Sequence, residues 1–228
     1  MTASSVERGR RQRRASEEPT SGASSDGLRA QGLRTRNAIL EVARKLLLEG
    51  GSLEFSLRAV AARAGISISN LQYYFPTRLA VLRAIMEPAI EEYLDDFKTA
   101  LEGVRPPRES FDALVAKALR DARNVEKTSL YWHFVSLASV DEECSRLLDE
   151  WYLALTRGLG QLVRSVNPDI KPAESAQIAR LMIAMTDGLA LQFGAGRSQT
   201  DGMRGIDARF AEVAEFLVQD RAPKKPAR

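Results

Sequence analysis

The chain has 228 residues, 44% of them hydrophobic and 28% charged, with a formal net charge of +3. That composition fits an ordinary soluble globular protein of one or two domains. It excludes several classes: no apolar run approaches the ~18 residues of a membrane span, the N-terminal arginines precede no apolar signal segment, and one Cys and one His allow neither an internal disulfide nor an ordinary zinc site. Neither a cofactor nor a metal is expected, and the unpaired Cys144 suits a reducing, cytoplasmic setting.

The modest net charge conceals a polarity along the chain. Residues 31–86 hold eight basic side chains against three acidic ones, whereas residues 87–222 hold sixteen basic against twenty-three acidic. A basic N-terminal segment on an acidic body is the electrostatic footprint of a protein that meets phosphate at one end.

In chain order, residues 1–30 are rich in Ser, Gly, Arg and Glu. They bury too little to offset the entropy of ordering and read as a disordered basic arm. Arg8, Arg10, Arg11, Arg13 and Arg14 could lie along phosphates or in a minor groove, or simply be solvated. From Arg34 the pattern turns helical: Ile39, Leu40, Ala43, Leu46 and Leu47 make one apolar stripe, ended by Gly50–Gly51. Ser56 is placed to cap a second helix that buries Val60, Ala61 and Ala64. Gly65 makes a tight turn, and Ser67 caps a third helix with Leu71 and Phe75 inward. Pro76–Thr77 opens a fourth helix with Leu79, Leu82, Ile85 and Met86 on its inner side. A kink is expected near Ala84–Pro88, where proline removes a backbone hydrogen bond.

Further helices are expected at about 108–124, 126–140, 142–166, 172–194 and 206–219, and no period-2 alternation predicts a strand. The fold class is therefore all-α: a helix-turn-helix DNA-binding domain at 31–87, a larger helical domain at 88–220, to which the resemblance given below assigns effector binding and dimerisation, and a basic tail at 221–228. Two helices joined by a glycine turn, the second opening on small polar residues, place a recognition helix in the major groove of double-stranded DNA.

Residues 35–82 resemble the DNA-binding domain of the TetR family of bacterial regulators. The resemblance rests on Ile39-Leu40 with Ala43, Gly50, Ser56, Val60-Ala61, Ala64-Gly65-Ile66-Ser67, Leu71, Tyr74-Phe75, Arg78 and Leu82, all at the family's spacing. It implies base contacts from Arg58, Ile68, Ser69, Asn70 and Gln72. Asn70 and Gln72 suit bidentate bonds to adenine, and Ile68 suits a thymine methyl. It implies phosphate contacts from Ser67, Tyr73, Tyr74, Thr77 and Arg78, which position without reading sequence. Gln72 departs from the family, which most often has tyrosine there.

The resemblance also implies a homodimer on a palindromic operator, its half-sites roughly 34–36 Å or a multiple apart. The dimer interface is expected on the last two helices, at Ile178, Leu181, Met182, Leu189, Phe193, Phe210, Val213 and Leu217. A small-molecule effector pocket is expected among the middle helices, with Tyr93, Phe97, Trp132, His133, Trp151 and Met185 as candidate lining residues, joined by Val135 and Leu155. Asp187, inside an apolar helix, can cap, pair across the dimer or receive a cation. The implied function is a repressor released from its operator by the effector, with the fourth helix as lever and Pro88 as its bend. The alternative is an effector-independent DNA-binding protein of the same fold, with an architectural or cell-division role. No nucleophile elbow, phosphate loop or metal cluster supports an enzyme.

Overall fold

The computed structural model describes residues 21–103, 105–194 and 201–219. The arginines of residues 8–14 and the basic tail from 221 lie outside the described residues. Those described hold only helices and turns, with no strand among them. Among the described residues, those up to Asn37 form one compact unit and those from Ala38 onward form another.

Helix α1 is Ser21–Glu54, so helix begins ahead of the 31 boundary expected from composition. Extending a formed helix adds one hydrogen bond per residue fixed, which an Ala/Arg/Gln-containing segment can follow even without a core of its own. The helical geometry breaks at Gly51 (φ 65°, ψ −167°), a left-handed conformation that suits glycine. Helices α2 (Leu57–Ala64) and α3 (Ile68–Tyr74) follow, each opened by the serine expected to cap it. Ser56 Oγ accepts from the Ala59 amide at 3.2 Å and Ser67 Oγ from the Asn70 amide at 3.1 Å. Between them Gly65 stands at φ 67° and closes α2 through its own amide. Thr77 caps α4 (Arg78–Leu101) in the same way.

Helix α4 runs continuously through Pro88, where the kink was expected. Pro88 is exposed, so its ring and the carbonyl it leaves unpaired can face water, where the loss of one bond costs least.

The body comprises α5 (Pro107–Ala122), α6 (Val125–Ala138), α7 (Glu142–Val166), α8 (Pro172–Phe193) and α9 (Ile206–Val218). Two apolar clusters hold this unit together. The first joins Ile39, Leu47, Val60, Leu71, Phe75 and Leu82 of the head to Leu130, Phe134, Leu137, Leu147 and Trp151 of α6 and α7. The second gathers Phe97, Phe111, Leu159, Leu162, Ile178, Met182, Phe210 and Val218. The core therefore does not divide at Pro88. The head shares its apolar interior with α6 and α7, and the second cluster begins one turn and more further along α4. Ion pairs Arg44–Glu126 (2.8 Å) and Arg83–Glu150 (3.6 Å) span the same join.

Candidate functional site

The structure offers two sites, one on the outside of the head and one inside the body. On the head, Leu71 and Phe75 are buried and fix α3 against α1 and α2, leaving its other face to solvent. Ser69, Asn70 and Gln72 are exposed, Ile68 is 37% exposed, and Arg58 of α2 is exposed as well. These are the five residues expected to read bases; α3 displays four of them and α2 the fifth, Arg58.

The residues expected on phosphates divide. Tyr73 is 81% exposed. Tyr74 is half-buried, packs on the first apolar cluster and meets Tyr73 edge-on, its ring centroid 5.1 Å away. Ser67 and Thr77 are exposed, and their hydroxyl oxygens already accept from capping amides. A hydroxyl that accepts in this way keeps its own proton to donate, so capping and phosphate binding are compatible. Arg78 is the exception. Its guanidinium turns inward, donating from Nη2 to the Ser52 carbonyl at 3.2 Å and lying over the Phe55 ring at 5.9 Å. Its Nε is buried with no hydrogen-bond partner, and the residue as a whole is half-buried.

The inner site is a cavity of ≈ 220 Å³ where the two apolar clusters meet. That is smaller than the ~300–1,000 Å³ clefts of drug-sized ligands and suits a small molecule. Its walls include Met86 and Tyr93 of α4, Phe111 and Asp121 of α5, Thr128 and Tyr131 of α6, Trp151, Tyr152 and Leu155 of α7, and Met182, Thr186 and Asp187 of α8. Of the expected lining residues, Tyr93, Phe97, Trp151 and Leu155 are there. Trp132, His133, Val135 and Met185 are not among the lining residues. Each lies next to one that does face the cavity or the core, and one residue along a helix is a rotation of about 100°.

Tyr131, Tyr152 and Asp187 form the polar end of this cavity. Tyr152 donates to Asp187 Oδ2 at 2.5 Å and Tyr131 lies 3.2 Å from the same oxygen, while the two hydroxyls also meet each other. Both bonds fall on Oδ2, so Oδ1 takes none among the described residues. No basic side chain among the described residues pairs with this carboxylate. Burial raises the Asp187 carboxyl above the ordinary carboxylate value, against the two tyrosine bonds that favour its charge. Burial, together with the bond to Asp187, pushes the Tyr152 hydroxyl up to about 12; Tyr131 is raised too, by burial first and then the Asp187 charge. Both tyrosines are therefore neutral donors at physiological pH.

The other cavity carboxylate is compensated. Asp121 accepts from Tyr93 at 2.9 Å and from Lys127 at 2.8 Å. Lys127 and Lys117 also reach Glu92 of α4, and Lys117 bonds Asp96. Burial alone would lower Lys117, but Asp96 and Glu92 raise it, and the bond from Lys117 holds Glu92 below its ordinary value.

The residues expected at a dimer interface also divide. Ile178, Met182, Phe193 and Phe210 are at most 6% exposed and belong to the core of one subunit. Leu189 and Leu217 are half-buried, while Leu181 (54%) and Val213 (42%) are exposed, as is Phe216 (58%), which the sequence had not singled out. The apolar stripe of α8 is broad enough to serve both an interior and an exterior.

Residues 39–85 match the family model described as bacterial regulatory proteins, tetR family, and residues 107–218 match that of a BetI-type transcriptional repressor, C-terminal. The HTH-type transcriptional regulator BetI of Rhizobium meliloti is 28% identical over 184 residues, spanning 80% of this chain and 87% of its own. Salmonella enterica GusR superposes with a TM-score of 0.68 at 21% identity, over 82% of this chain and 97% of that one. A transcriptional regulator from Saccharomonospora viridis, solved in complex with choline, superposes with a TM-score of 0.60 at 19% identity, over 78% and 96% of the two chains. No helix among the described residues is long and apolar enough to cross a membrane. A displayed recognition helix matched by one model and a cavity-bearing helical body matched by the other place this chain in the TetR family of bacterial transcriptional regulators.

Proposed function

We propose that this repressor is released from its operator by a small organic cation of the choline type, bound in the cavity with Asp187 as its counter-ion. The observation that carries the reading is a buried carboxylate without a basic partner among the described residues, one oxygen open, set among Tyr93, Phe97, Tyr131, Trp151 and Tyr152. Aromatic faces attract a desolvated cation by about 2 kcal/mol, and a buried carboxylate is costly until a cation or proton compensates it. The likeness to a regulator solved with choline bound supports the same ligand class.

The test is fluorescence anisotropy on DNA from upstream of the protein's own reading frame, titrated with choline and with its neutral isostere 3,3-dimethylbutanol. Choline should release the DNA and the isostere should not. Equal potency of the two would remove Asp187's role as counter-ion. If neither compound acts and no other small cation does, the effector-independent reading takes its place.

The reading places the protein in the cytoplasm as a homodimer, with Asn70 and Gln72 on base edges and Tyr73, Ser67 and Thr77 on phosphates. Leu181 of α8 and Val213 and Phe216 of α9 would belong to an isologous interface, in which the same patch meets itself across a two-fold axis. A Leu181→Glu, Phe216→Glu variant should elute as a monomer in light-scattering chromatography, with its helical circular dichroism intact. Losing the second half-site, it should bind the operator at least ~100-fold more weakly, since each linked site adds roughly 10²–10⁴ to avidity.

A further inference from the structure

We infer that Arg78 and His133 are positioning residues that couple body to head by clamping the Gly51–Ser52 turn, and that Arg78 is not a phosphate contact. The inference concerns transmission and holds whatever the effector's chemistry.

The turn is the break at Gly51 near the C-terminal end of α1, just ahead of the Ser56 cap of α2, on which the recognition helix rests, and two body-linked elements grip it. From the first residue of α4, Arg78 donates to the Ser52 carbonyl at 3.2 Å and lies over Phe55, the buried residue that follows the turn. From α6, the His133 imidazole lies over the bare Cα of Gly51, so close that a Cβ there would come 3.2 Å from Cε1. Gly51 is thus glycine for two reasons, its φ of 65° and this contact.

Both grips lead to the cavity. Helix α4 lines it with Met86, Ile90 and Tyr93. In α6, Tyr131 lines it two residues from His133, while Leu130 and Phe134 are buried in the core shared with the head. Any displacement of Tyr131 or Tyr93 on ligand binding therefore acts on the same turn through α6 and α4, both packed on the shared core. The Asp141 carboxyl that caps α7 is held below its ordinary value first by the Cys144 amide, with the Arg78 charge a lesser contributor. A guanidinium can fork to a carbonyl and stack on a ring at once, which an ammonium cannot.

The test compares Arg78→Lys, Arg78→Gln and His133→Ala with the wild type in three measurements. The first is the salt dependence of operator binding: a lost phosphate contact lowers the slope by about 0.9, whereas the clamp predicts an unchanged slope in all three. The second is amide exchange across residues 51–57 in DNA-free, ligand-free protein, which should quicken roughly tenfold as one charge-assisted hydrogen bond is lost; Lys should not rescue it. The third is coupling to choline: operator release of roughly 5–150-fold in the wild type should shrink severalfold in each variant, with choline affinity for the free protein unchanged. A reduced salt slope for Arg78→Gln that Arg78→Lys restores would make Arg78 a phosphate clamp and overturn the inference. Unaltered exchange in both Arg78→Lys and His133→Ala would also overturn it. Should choline fail to bind the wild type, the proposed effector class falls, and salt slope and exchange still decide this inference. If Arg78→Gln unfolds, His133→Ala and Arg78→Lys carry the comparison.

Discussion

Asp187→Asn is expected to weaken choline binding by roughly 10- to 150-fold, the ~1.5–3 kcal/mol of one charge-assisted contact, while leaving operator affinity without ligand unchanged. The asparagine oxygen can still accept from Tyr131 and Tyr152, so the cavity keeps its shape and loses only its charge. Calorimetry of choline into DNA-free protein, beside anisotropy on operator DNA, separates the two effects. A variant that binds choline as the wild type does would show that the aromatic walls alone hold the cation.

The direction of the Asp187 shift adds a pH dependence. Its folded-state carboxyl is raised by burial, so the folded protein takes up this proton more readily than the unfolded chain. Its favourable contribution is complete below the ordinary carboxylate value and is lost as pH rises through the raised one. In the ligand-free protein at neutral pH, Asp187→Asn should therefore raise the urea midpoint. The cation binds the ionised form, so choline affinity should fall as pH drops through the raised value, and binding there should release a proton. Calorimetry in two buffers of different ionisation enthalpy measures that release.

The second large effect belongs to the head. Asn70→Ala with Gln72→Ala should cost about 1–3 kcal/mol of discrimination per lost bidentate contact, up to a thousandfold or more for the pair. Both side chains are exposed on a helix whose inner face is fixed by Leu71 and Phe75, so the fold should be unaffected. Operator affinity should approach that for unrelated DNA, with the salt slope retained because the phosphate contacts remain. Tyr73→Phe should behave oppositely, weakening specific and non-specific binding alike. Persisting discrimination in the double variant would assign base reading elsewhere, with Arg58 and Ile68 next in line.

Much of this was legible in the chain because the signals are local. The caps at Ser56, Ser67 and Thr77 each involve an amide three residues on, and Gly65 closes α2 within its own turn. Such features depend on spacing alone, so the helix-turn-helix, its displayed face and the all-helical body follow from sequence. The body helices lie within about two residues of their expected bounds for the same reason: proline, glycine and acidic residues mark their ends.

What only the tertiary structure decided concerns facing. In α6 apolar side chains occupy every side, so periodicity does not tell Tyr131, which faces the cavity, from Trp132 and His133, which do not. On α8 one stripe contains both Met182, buried in the subunit, and Leu181, open to solvent. Tyr152 was closer to legible, since Leu148, Tyr152, Leu155 and Leu159 repeat at helical spacing along one side of α7, all on the cavity. Arg78 was not: its position in the motif says phosphate, and only the packing of Ser52 and Phe55 turns it inward. From Arg34 onward, sequence by itself determined which segments are helices and which of them belong to the helix-turn-helix, because hydrogen bonds along a helix are made between near neighbours. Which side of each body helix meets the ligand, the head or a second subunit was left to long-range packing.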